Sequence, residues 1–143
     1  MAAKMPQVVA LCGGRVVGYN LSMDQSMQND LPELTPMFKE FENCFYRGQA
    51  LARYQFMVGG QVCVDESFRG LGLLQSLYHE TRKAADARFE LCVTEISARN
   101  NVSLKAHQKM GFKVAGSYQD GTGLWNIVVW DYNDGLHTGS PNV

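Results

Sequence analysis

The strongest constraint on this chain lies between residues 54 and 97. The apolar run YQFMVGGQVCV ends in the corner DESFRGLG. After it, Leu74, Leu77, Tyr78, Thr81 and Ala85 recur at the spacing of a helix that the pattern carries to about Arg88. FELCVTEIS then reads as another strand. Two strands joined through one helix pair in parallel, by a right-handed crossover. Gly59-Gly60 inside the first of them marks a bulge or a close backbone approach.

Antiparallel strands are expected on both sides of this unit. QVVAL and RVVGYNLSM flank the turn signal CGG, so residues 7–23 read as a hairpin. Leu34, Met37, Phe38, Phe41 and Phe45 lay an apolar stripe along a helix predicted over 31–46. Asp30 with Glu33 would cap it, Thr35-Pro36 offers a second start, and Gly48 would stop it. NNVSLKAHQKM reads as a helix capped by Asn100 or Asn101, with Gly111 and Phe112 as its stop. FKVAGSYQ and LWNIVVWDY, joined by DGTG, make a last hairpin, with Trp125 and Trp130 on opposite faces. The reading is one α/β domain over 1–132: a mixed sheet with helices on both faces, a helical segment at 24–53, and a loose tail at 133–143.

Composition narrows the function. A net charge of −1 over 143 residues gives no global basic field for nucleic acid. No apolar run approaches the roughly 20 residues that span a bilayer. The N-terminus carries one Lys before Gly13-Gly14 breaks its apolar run, a poor secretion leader. Cys12, Cys44, Cys63 and Cys92 form no CxxC pair and no Cys/His cluster at zinc spacing, so no metal is expected. They read as buried free thiols in a reducing compartment, which points to the cytoplasm. His79 reads as a surface residue, and His137 falls in the tail.

The corner carries the chemistry. A strand ending at Val64 runs into a helix near Leu71, whose first amides have no internal partner. Arg69 adds a charge, and Gly70 and Gly72 let an anion approach the backbone. A dinucleotide fingerprint would need a third glycine at Gln75. Taken alone, the corner is equally a tight strand-to-helix turn or, in a rival reading, part of a nucleotide-binding domain.

Its context is more specific. Arg69-x-x-Gly72 after a strand is followed, one helix and one strand later, by Asn100-x-x-Ser103-x-x-x-His107-x-x-x-Gly111-Phe112. This resembles the GNAT superfamily of acetyl-CoA-dependent N-acetyltransferases over about residues 7–132. Leu74 stands where the family has a small residue, Ser103 where it has Ala, and His107 where it has Tyr. The family also has a strand and two helices ahead of the first hairpin, so this chain is expected to be a shortened form or to use the 31–46 helix in their stead.

The resemblance implies a mainly antiparallel, twisted sheet with a central splayed parallel strand pair. Acetyl-CoA would enter the splay. Val62, Cys63 and Val64 would pair with its pantetheine arm, with an amide near Val62 as oxyanion donor. The amides of Gly70, Leu71, Gly72, Leu73 and Leu74, with Arg69, would hold the pyrophosphate. Asn100 would bind the arm or order the strand end, beside Ser103. Glu95 would be the base and His107, as an imidazolium, the acid for the departing thiolate. The acceptor would be a primary amine of unidentified kind, one Trp would line its pocket, and the edge strands would suit a homodimer. The alternative is a catalytically silent acyl-CoA-binding module.

Overall fold

The computed structural model describes residues 7–24, 35–70, 72–85 and 87–133. A six-stranded sheet, β1 (Gln7–Cys12), β2 (Arg15–Met23), β5 (Phe56–Val64), β6 (Leu91–Ser97), β7 (Lys113–Asp120) and β8 (Gly123–Asp131), runs in the order β1-β2-β5-β6-β8-β7. Among the described strands, only β5 and β6 pair in parallel, and only over Phe56↔Leu91, Met57↔Cys92 and Val58↔Val93. Beyond Val58 the two strands part. The remainder of β5 pairs with β2, and the remainder of β6 with β8. The expected splay is therefore a fork in the middle of the sheet.

Alternation along the strands sends side chains to two cores. Phe56, Val58, Leu91, Val93, Ile127 and Val129 pack on one face, beneath Met37 and Phe38 of α1 (Thr35–Glu40). Met57, Cys92, Ile96, Val128 and Trp130 pack on the other with Tyr78 of α2 (Leu73–Ala84) and with Phe112, just past α3 (Asn101–Met110). Gly111, at φ 119°, lets the chain fold back so that the Phe112 amide bonds the His107 carbonyl at 3.0 Å. As expected, Asn100 caps α3, accepting from the Ser103 amide at 3.0 Å.

Two corrections concern the segment at 24–53. The helix predicted over 31–46 ends at Glu40 and continues only as tight turns through Asn43. Phe45 leaves the stripe for β3 (Phe45–Tyr46), which pairs with β4 (Gln49–Ala50). Gly48 does not stop a helix. Arg47 and Gly48, at φ 52° and 79°, form a two-residue hairpin turn of the mirror-image type. Arg in place of the usual Asn or Asp hides that turn in the sequence. Leu34 and the Asp30–Glu33 cap fall outside the described residues, as do residues 25–33 and the tail from 134.

The helix predicted to Arg88 ends at Ala84. Cys44 and Cys92 are buried free thiols, whereas Cys12 and Cys63 are free but exposed. Cys12 closes β1 at its turn on the sheet edge. His79 is exposed, its ring edge-on to Trp130 at 5.2 Å.

Two of the sheet's bulges border the site. Leu21 pairs with Gln61 and Ser22 with Gly59, so Gly60 is the extra residue expected of a bulge in β5. In β7, Val114 pairs with Val128 but Gly116 with Ile127, so Ala115 is an extra residue there.

Candidate active site

The fork opens beside a cavity of about 900 Å³ between β5, the corner after it, and α3. The edge of β5 facing the fork follows from its other bonds. The Asp65 amide bonds the Val17 carbonyl on β2, while the Val64 carbonyl accepts from Arg69 Nε at 3.2 Å. Alternation then directs the backbone groups of Val62 and Val64 into the fork, and those of Cys63 toward Tyr19 on β2. Cys63 thus lines the cavity rim, but its peptide groups are not the ones a bound arm would pair with.

The helix after the corner starts at Leu73, two residues later than the sequence suggested. Gly72 caps α2 in the left-handed region, φ 77°, and the first helical bond runs from the Ser76 amide to the Gly72 carbonyl at 3.0 Å. The amides without helical partners are therefore those of Leu73, Leu74 and Gln75. The expected open amides stop at Leu74 because the sequence predicts an earlier helix start; the observed start adds Gln75. Gly70 also has positive φ, 81°, and a Cβ added at Gly70 or Gly72 would meet nothing within 4 Å, so both border open space. Leu71 lies outside the described residues. Leu74 is half-buried and packs with Val62 against the second core, so its bulk turns inward.

Charge in the cavity has one sign. Among the described lining residues the charged side chains are Arg69 and Lys109, with no carboxylate. Arg69 uses Nε locally, and its Nη atoms make no hydrogen bond among the described residues. Phe68, Val102 and Met110 add apolar wall. Asn100 directs its side-chain oxygen to the α3 cap, which leaves its Nδ2. These residues suit a long anionic ligand with an amide-bearing arm.

His107 lines the cavity yet is only 1% exposed. Its Nδ1 lies 2.7 Å from the Ser103 carbonyl, which can only accept, so Nδ1 carries the hydrogen. Nε2 then accepts from the Tyr78 hydroxyl at 2.9 Å. Burial lowers the His107 pKa, partly offset by the Ser103 carbonyl. Both nitrogens are engaged, and the lowered pKa favours the neutral imidazole over the expected imidazolium. Tyr78 is fully buried, and burial raises its pKa well above the usual phenol range. Its role beside His107 had no local sequence signal, since the pair is 29 residues apart.

Glu95 projects from the opposite face. On β6 the α1-side residues are Leu91, Val93 and then Glu95, the first side chain on that face beyond the last parallel pair. Below it, the Thr94 hydroxyl closes the apex of the fork by donating to the Gly59 carbonyl at 2.8 Å. Burial raises the Glu95 pKa above the usual range, the Tyr118 hydroxyl lowers it, and Asp120 raises it again. Tyr118 Oη donates to Glu95 Oε2. Trp125 shares this face, across from Ser97 and Tyr118, and its Nε1 is tied to Asp120 Oδ1 at 3.1 Å. Trp130 lies in the second core. No group of three His, Cys, Asp or Glu among the described residues could hold a metal, and no described helix is long and apolar enough to cross a membrane.

No protein-family model matches the sequence, and no curated protein does. Solved structures do. The chain is similar to an acetyltransferase of the GNAT family from Streptococcus pneumoniae, with a TM-score of 0.58 at 15% identity over 86% of this chain and 64% of that one. The yncA protein of Salmonella typhimurium, solved with its cofactor acetyl-CoA, gives 0.57 at 20% identity over 88% and 64%. Naa50 of Arabidopsis thaliana, in complex with the bisubstrate analogue CoA-Ac-MVNAL, gives 0.61 at 11% identity over 88% and 72%. The chain spans about two thirds of the length of these structures. At such identities the likeness concerns architecture: this chain has the GNAT fold.

Proposed function

We propose that the protein is an N-acetyltransferase that moves an acetyl group from acetyl-CoA to a primary amine. One observation carries the reading: a one-signed cavity with open helix amides ends at a fork whose far face presents a half-buried carboxylate. Acetyl-CoA supplies an activated acyl group. Its pyrophosphate would sit at the amides of Leu73, Leu74 and Gln75 with Arg69, and its arm along Val62 and Val64. Glu95 takes a proton from the acceptor ammonium. The freed nitrogen attacks the acetyl carbonyl, the carbon–sulfur bond breaks, and the nitrogen's surplus proton leaves on the thiol. His107 needs no charge in this scheme. It bonds Ser103 at the cavity wall and the buried Tyr78 hydroxyl behind it.

The neutral, fully engaged His107 also favours a second reading, a silent acyl-CoA-binding module. Thiol release from acetyl-CoA in the presence of an amine panel separates the two. The expected result is amine-dependent release that falls about 100-fold in Glu95→Gln, the range for loss of a general base. Tight CoA binding with no release on any amine would establish the silent module. A melting temperature raised by NAD but not by CoA would overturn both.

A further inference from the structure

Glu95 acts as a base only if one oxygen is left for the acceptor, and holding the other fixes the direction of the free one. Among the described residues Glu95 makes a single hydrogen bond, through Oε2 to the Tyr118 hydroxyl, and Oε1 has no protein partner. The β7–β8 turn brings Tyr118 there. It pairs Asp120 with Gly123 and, two residues on, Tyr118 with Trp125, on the face of Glu95. The extra residue at Ala115 then sets Val114 and Lys113 opposite Val128 and Val129. The bulge in turn needs Gly116. A Cβ there would lie 2.5 Å from Cys44 Sγ, and Cys44 is buried in the core beneath α1.

We propose that Tyr118 is a positioning residue for acetyl transfer: its hydroxyl fixes Glu95 Oε2 and presents Oε1 to the acceptor amine at the fork. This rests on the acetyl-transfer reading above. The charged groups around the pair are few. Asp120, further along β7, acts on both, and Glu40 of α1 acts on Tyr118. Ile127 of β8, paired with Glu95, is apolar. With carboxylates as its charged neighbours, the Tyr118 hydroxyl keeps its proton and remains a donor.

The test combines two measurements on the full chain. The first is the titration of Glu95 by its side-chain carboxyl ¹³C signal, assigned with Glu95→Gln. The second is the pH profile of kcat with an amine from the panel. In Tyr118→Phe the Glu95 titration and the acidic limb of kcat are expected to rise together by about one pH unit, the worth of one hydrogen bond to a carboxylate. The plateau kcat falls about tenfold while KM for acetyl-CoA holds. Replacing Tyr118 with 3-fluorotyrosine, a stronger donor, moves both the other way. An unmoved Glu95 titration overturns the proposal. A titration that moves while the acidic limb of kcat stays put overturns it too, and leaves acetyl transfer intact. Absence of turnover by the unaltered protein on every amine overturns the transfer reading itself, and the role of Tyr118 falls with it, whatever the titration does.

Discussion

The two faces of the fork are built by different means. On the α2 and α3 side, backbone does the work: a glycine in the left-handed region, unpaired helix amides, a capped second helix, and two cations over a cavity with no carboxylate among its described lining residues. On the α1 side, side chains do it: Glu95, Tyr118, Asp120 and Trp125, gathered from three strands and their turn. The first arrangement survives side-chain drift because peptide groups cannot be mutated. The second depends on register, and a slip of one residue in β7 would dismantle it.

The largest effect separating the faces is expected from Gly72→Glu. It places a carboxylate at the open cradle and a Cβ at φ 77°, a conformation costing roughly 1–2 kcal/mol outside glycine. CoA affinity measured by calorimetry should fall about 100-fold or more, near 2.7 kcal/mol. Affinity within threefold of the unaltered protein would mean that the anion binds elsewhere.

Gly116→Ala probes the other face. Its new Cβ meets Cys44 Sγ inside the core, and overpacking of this kind costs about 1–3 kcal/mol. Urea unfolding should show that loss, and adding Cys44→Ala should recover part of it. CoA affinity should change little. A Gly116→Ala protein that keeps full stability would place the bulge elsewhere.

This contrast also explains what could be read from the sequence. The corner, the Asn100 cap, the Gly111 stop and the DGTG turn each depend on residues within about four positions, so local chemistry reveals them. Tyr118 and Glu95 are 23 residues apart and Tyr78 and His107 are 29 apart. Their meeting is decided by strand register and helix packing. Gly116 inside a strand was the one local sign of the second bulge. The Arg47-Gly48 turn was hidden because an arginine occupies a left-handed position.

His107→Phe has an intermediate effect with a pH signature. The folded pKa of His107 lies below its ordinary 6.5, so protonation favours the unfolded chain. Its neutral burial is fully accommodated above pH 6.5, and stability drains as pH falls below that value. Glu95, raised above 4.5, works the opposite way: its contribution is complete below 4.5 and is lost as pH rises through its folded pKa. Comparing the variant with the parent cancels the Glu95 contribution. At pH 8 the variant should be less stable by about 1–3 kcal/mol, because the buried Tyr78 hydroxyl loses its acceptor. At pH 5 the gap should narrow. A gap independent of pH would mean that His107 titrates alike in the folded and unfolded chain.

The smallest effect tests whether both cations serve one ligand. Arg69 sits at the corner, beside the helix amides, and Lys109 near the end of α3. A ligand with a pyrophosphate and a separate phosphate could engage both. Lys109→Gln should weaken CoA by about threefold, the scale of one exposed ion pair, and should barely affect dephospho-CoA. The difference should shrink as salt rises, since exposed charges are screened over about 10 Å at 0.1 M. Equal losses for both ligands would assign Lys109 to the pyrophosphate, and no loss for either would make it a solvated charge at the rim. Arg69→Gln should weaken both ligands alike, because the group it faces is common to them.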